Sequence, residues 1–153
     1  MAISDLQLPP GVRACTHDAA GPMAQALAVR VADALREAIA VRGQATLVVS
    51  GGRSPVSFFE ALVRRHLLRG AASEAKFLGL YRVAGSLEQA AELADAAFAE
   101  LPPIDVLVLG MGDDGHTASL FPDSPNLDLA LRAACSRRVL PMREWMRWTL
   151  TFA

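Results

Sequence analysis

The chain has 153 residues, enough for one real core and too few for two comfortable domains. Apolar residues make up 52% and charged residues 20%, which excludes overall disorder. Lys and Arg number 15 against 16 Asp and Glu, so no general electrostatic footprint exists for nucleic acid or an anionic membrane surface.

Two cysteines, Cys15 and Cys135, lie far apart without metal-ligand spacing and read as free thiols of a reducing compartment. Residues 1–11 carry neither a basic n-region nor an apolar h-region, so no secretory signal is expected. The longest mainly apolar stretch, Met23 to Val41, is interrupted by Gln25, Arg30, Asp33, Arg36 and Glu37 and should not span a bilayer. The expectation is a cytoplasmic, monomeric, single-domain protein over residues 1–153, acting on a small molecule.

In chain order, Leu27, Val31, Leu35 and Ile39 recur every four residues and predict a helix from about residue 22 to 42. Pro22 suits its first turn, and Gly43 its stop. Ala45 to Val49 is a short apolar run of the kind found in strands buried on both faces of a parallel sheet. A second helix follows, with Ser54 as cap, Pro55 at its first position, and Phe58, Phe59, Leu62 and Val63 as its apolar set. Phe77 to Tyr81 is a strand candidate. Ser86 and Gln89 form a capping-box start for a helix ending near Leu101, before Pro102-Pro103.

Ile104 to Leu109 is a third strand candidate, then a glycine-rich loop, a short helix over Ala118 to Phe121, and two more strands at Arg138–Met142 and Arg147–Phe152. Alternating helices and apolar strands predict an α/β fold, a doubly wound, mostly parallel, Rossmann-like sheet.

Ligands of such sheets bind beyond the carboxyl ends of the strands. Two glycine-rich loops fall there. In Ser50-Gly51-Gly52-Arg53-Ser54-Pro55 the glycines admit close backbone approach, the hydroxyls and a helix start add polar groups, and Arg53 adds a charge. That composition suits a phosphate; the competing reading is a strand-to-helix turn needing glycine for its dihedrals alone. No Gly-Lys-Ser/Thr ending is present, so it is not a Walker loop.

The second loop, Gly110-Met111-Gly112-Asp113-Asp114-Gly115-His116-Thr117, fits G-x-G-x-x-G. Asp113 and Asp114 would put carboxylates where a pyrophosphate must sit, which argues against a dinucleotide. The alternative is catalytic: His116 as base toward water, with Asp114 orienting its ring. The bland reading makes Asp114 a helix cap and His116 polar surface. A metal would have one local imidazole among Asp113, Asp114, His116 and Asp123, a poor set for zinc, so none is expected. His17 and His66 lie in an irregular lead-in and beside Arg64 and Arg65, without catalytic neighbours. No Gly-x-Ser-x-Gly elbow occurs.

Val49 to Pro55, together with Leu109 to Pro122 (LGMGDDGHTASLFP), closely resembles the 6-phosphogluconolactonase family, and Arg147-Trp148-Thr149 resembles its later Arg-x-Thr strand. The resemblance implies hydrolysis of 6-phospho-D-glucono-1,5-lactone without metal or cofactor. It places Ser50, Gly51, Gly52 and Arg53 at the substrate phosphate and His116 at catalysis. Asp114, Gly115 and Thr117 would shape the loop, Arg147 would join the substrate contacts, and backbone N–H groups of the glycine loops would steady the oxyanion. Glucosamine-6-phosphate isomerases share the fold and a similar Asp-Gly-His loop; the Thr-Ala-Ser-Leu-Phe continuation favours the lactonase.

Family members carry, after the Gly-Gly helix, a further strand ending in Asp-Glu-Arg and a Ser-Asn loop. Here Phe58-Phe59-Glu60-Ala61 runs straight into Leu62–Leu68, and no Asp-Glu-Arg occurs. The family's closing strands are likewise not expected after Ala153. The resulting expectation is a real internal deletion, an incomplete sheet, marginal stability and weak or absent activity, down to a sugar-phosphate-binding remnant.

Overall fold

A computed structural model describes residues 7–50, 55–64, 78–112, 115–142 and, as backbone, 147–150. Helix α1 spans Ala20–Arg42 and ends at Gly43, whose φ of 75° gives the left-handed C-cap and whose N–H donates to Ile39 O. Pro22 lies in its first turn, where no intrahelical donor is lost. Its buried face is Ala24, Ala28, Val31, Ala32, Leu35 and Ala38. Val31 and Leu35 of the predicted stripe are buried, whereas Leu27 is exposed. Small alanines fill the remaining inward positions.

Strand β1 is Leu47–Val49, and helix α2 is Val56–Arg64, directly after Pro55. Phe58, Ala61 and Leu62 of α2 are buried, whereas Phe59 and Val63 of the predicted apolar set are exposed. The backbone runs through Phe59 to Val63 as unbroken helix. Ser54 and residues 65–68 lie outside the described residues.

Helix α3 is Leu87–Ala99; Ser86 Oγ accepts from Gln89 N–H, and Gln89 Oε1 accepts from Gly85 N–H. The capping box therefore forms, displaced by one residue on its return bond. Strand β2 is Val106–Val108, parallel to β1 in the register Leu47↔Val106, Val48↔Leu107, Val49↔Val108. The α2 and α3 segments supply the long connection that parallel pairing requires. Asp105 fixes this pair to α1: its carboxylate accepts from Thr46 N–H at 2.8 Å and pairs with Arg42.

Helix α4 is Leu127–Ala130, and the buried strand β3, Val139–Met142, pairs antiparallel with β4, Arg147–Leu150. Asp95 of α3 holds the start of β3 by accepting from the N–H groups of Arg138 and Val139 at 2.6 and 2.8 Å. Among the described residues no helix is long and apolar enough to cross a membrane.

The fold is α/β with a parallel pair, but the continuous sheet is reduced. Among the described residues the strands form two separate two-stranded sheets. The expected strand at Phe77–Tyr81 does not form over residues 78–81, while Phe77 lies outside the description; Leu80 instead packs against Ala91, Ala94, Phe98 and Val139. A strand needs a neighbour for its backbone groups. The apolar interior is correspondingly split. One cluster joins α1, α2 and one face of β1–β2, a second gathers Leu120, Ala130, Cys135, Leu140 and Met142, and a third joins α3 to β3. On the opposite face of β1–β2, Leu107 is exposed.

Candidate active site

Both glycine-rich loops leave the carboxyl ends of the paired strands β1 and β2, so the strand register brings them together. Ser50 N–H donates to Val108 O at 3.0 Å, carrying the parallel ladder one residue past the strands. Ser50 Oγ then accepts from Gly110 N–H at 3.3 Å. One side chain thus ties the first loop to the second. Its own hydroxyl proton remains for a further acceptor. Gly51, Gly52, Arg53 and Ser54 lie outside the described residues.

The second loop is closed by its own backbone. Gly115 N–H donates to Gly112 O at 2.9 Å, Gly112 N–H to His116 O at 2.8 Å, and Thr117 Oγ1–H to Gly110 O at 2.7 Å. Gly115 has φ of 85°, a conformation that a side chain would strain. Thr117 and Gly115 therefore hold the loop's shape. Asp113 and Asp114 lie outside the described residues, so the proposed Asp114 support of His116 does too.

One expectation changes here. The N–H groups of Gly110, Gly112 and Gly115 are donated to Ser50, His116 and Gly112, so this loop's glycine amides do not face an oxyanion. A second expectation also changes: residues 118–121 are not a helix. Thr117 and Leu120 pair across a two-residue turn, with Leu120 N–H donating to Thr117 O at 2.8 Å. Ala118 and Ser119 have φ of 52° and 66°, both left-handed. Two consecutive positive φ values are the signature of the hairpin turn whose twist suits antiparallel strands. Sequence reasoning missed it because Ala and Ser give no turn signal; Asn-Gly would have.

The turn also removes the dinucleotide reading, which needs a helix N-terminus directly after the glycines. It places the ring of Phe121 against that of His116, with centroids 4.4 Å apart and planes 34° apart. His116 itself is partly buried at the lip of the loop, outside all three core clusters. Arg147 begins β4, paired with Met142, and is described as backbone.

Left-handed backbone costs a non-glycine residue about 1–2 kcal/mol. Ser119→Gly should therefore stabilise the chain by about 0.5 kcal/mol, read as a higher urea midpoint, after the entropy of glycine in the unfolded chain is set against the relief. A lowered midpoint would show that the serine side chain earns its place in the turn.

The family model for glucosamine-6-phosphate isomerases/6-phosphogluconolactonase matches residues 18–72 and 62–153. The 6-phosphogluconolactonase of Pseudomonas aeruginosa is 54% identical over 174 residues, covering 93% of this chain and 73% of the relative. That of Pseudomonas putida is 48% identical over 173 residues, with 93% and 72% covered. The crystal structure of a 6-phosphogluconolactonase from Shewanella baltica superposes with a TM-score of 0.72 at 34% identity, covering 88% of this chain and 72% of that one. The match to the first relative extends over more residues than this chain possesses. The two family matches also overlap on residues 62–72. The relative thus has residues that this chain lacks, and the two family matches meet around the end of α2.

Proposed function

The chain belongs to the glucosamine-6-phosphate isomerase/6-phosphogluconolactonase family, and we propose from this that it hydrolyses 6-phospho-D-glucono-1,5-lactone to 6-phosphogluconate, more slowly than its longer relatives. The observation that carries the reading is the latch between Ser50 and Gly110, which holds a phosphate-type loop and a histidine-bearing loop side by side at the ends of β1 and β2.

In this reading His116 takes a proton from water as that water attacks the lactone carbonyl, and returns it to the ring oxygen as the ester bond breaks. Asp114 orients the imidazole. Ser50, Gly51, Gly52 and Arg53 hold the phosphate, and Arg147 adds a substrate contact. The relatives' Asp-Glu-Arg strand is missing, so one cation and one carboxylate fewer act on substrate, which is the reason for the reduced rate.

The test is an assay of the purified chain on freshly generated lactone and, separately, on glucosamine 6-phosphate. Lactone loss above the spontaneous rate with no ammonia release is expected. No acceleration, with a thermal shift by 6-phosphogluconate, would leave a binding protein instead. Within an active chain, Arg53→Ala should raise KM about tenfold or more while changing kcat little, because a charge at a remote phosphate contributes binding rather than chemistry. An unchanged KM with a collapsed kcat would remove Arg53 from the phosphate role.

A further inference from the structure

We infer that Phe121 is a positioning residue for His116, set opposite it by the left-handed turn at Ala118-Ser119; this rests on the role proposed for His116 above. In a two-residue hairpin the residues flanking the closing pair lie directly across from one another. Thr117 and Leu120 close this turn. Their outer neighbours are His116 and Phe121, and the rings of those two residues are in contact at 4.4 Å.

The helix that the sequence pattern suggests over residues 118–121 would not produce this pairing. Residues five apart on a helix do not share a face, since neighbours there are three or four apart. The left-handed pair Ala118 and Ser119 is therefore what turns Phe121 back onto the histidine. Leu120 anchors the turn from beneath, buried with Ala130, Cys135, Leu140 and Met142, and Ala118 packs on the same cluster. The ring of Phe121 thus sits on a fixed base rather than on a free loop.

A phenyl ring against one side of an imidazole restricts its rotation about the Cβ–Cγ bond and keeps water from that face. The ring nitrogens, which lie in the imidazole plane, stay available at the edge. Proton transfer depends on that edge being aimed at the attacking water, and small misplacements of a catalytic group are costly. Phe121 makes no such transfer itself. It holds the group that does.

The experiment compares the full chain with Phe121→Leu, Phe121→Tyr and His116→Ala, reading kcat, KM and the imidazole proton shifts of His116 by NMR. Phe121→Leu keeps apolar volume but loses the ring. It should lower kcat about tenfold with KM within about twofold, part of the roughly 10²-fold that misplacement can cost. The ring-current displacement of the His116 signals should vanish in Phe121→Leu and persist in Phe121→Tyr, which should also recover kcat. Full kcat in Phe121→Leu, a KM effect alone, or His116 shifts that do not respond to the ring would overturn the inference. Lactone hydrolysis absent in the unsubstituted chain, or untouched in His116→Ala, is instead a failure of the proposed reaction. The NMR comparison still decides the contact in that event, because it needs no turnover.

Discussion

His116→Ala should abolish lactone hydrolysis above the spontaneous rate and leave the fold intact. A positioned general base contributes about 10²–10⁴-fold, and the substitution removes the imidazole without a replacement. The fold should survive because His116 belongs to none of the three apolar clusters. Its carbonyl, which receives Gly112 N–H, is retained by alanine. The check is single-turnover lactone consumption, corrected for spontaneous opening, alongside the far-ultraviolet circular dichroism spectrum and the urea midpoint. Full activity in the variant would remove His116 from the base role. Loss of both activity and circular dichroism would mean that the ring contact with Phe121 carries stability as well as chemistry.

What the sequence made legible was local. The four-residue spacing and Gly43 located α1, and Ser86 with Gln89 located the start of α3 within one residue. The apolar runs at residues 45–49 and 104–109 located β1 and β2, and the rule that ligands bind beyond strand ends selected the loops that the register brings together. Nonlocal features were not legible. Which positions of α1 face inward depends on what packs on it: Val31 and Leu35 of the four-residue stripe are buried with α2, whereas Leu27 is exposed and alanines complete the buried face. Residues 78–81 have strand composition, but among the described residues no strand pairs with them. The turn at Ala118-Ser119 carries no glycine or asparagine, so its geometry is imposed by the pairing of Thr117 with Leu120 and by the burial of Leu120.

Ser50 shows the same limit inside the site. Its type suggested a phosphate ligand, and the structure adds that its oxygen receives Gly110 N–H. A hydroxyl can do both, accepting from one group and donating to another. Only the register of β1 on β2 reveals the first of these bonds. It also explains how the starts of two loops sixty residues apart meet.

Phe58→Ala should leave up to about half of the chain unfolded at 25 °C. Phe58 is 3% exposed and sits in the cluster that joins α1 and α2 to β1 and β2. Removing a buried phenylalanine side chain costs about 3–5 kcal/mol, against a total of about 5–15 kcal/mol for ordinary domains. This chain belongs at the lower end of that range. Parallel strands are normally covered on both faces, yet Leu107 on the far face of β1–β2 is exposed and the interior is divided into three clusters. The same cluster holds β1 in place, and with it Ser50, so unfolding should take the proposed site with it. A ligand that binds only the native state shifts the balance back, by about 2.7 kcal/mol at a hundred times its dissociation constant. Saturating 6-phosphogluconate should therefore restore part of the circular dichroism signal to Phe58→Ala and raise its urea midpoint, while glucose, lacking the phosphate, should not. A variant as stable as the parent chain would show that α2 contributes little to the fold. An unstable variant indifferent to 6-phosphogluconate would show that the two loops do not form a sugar-phosphate site.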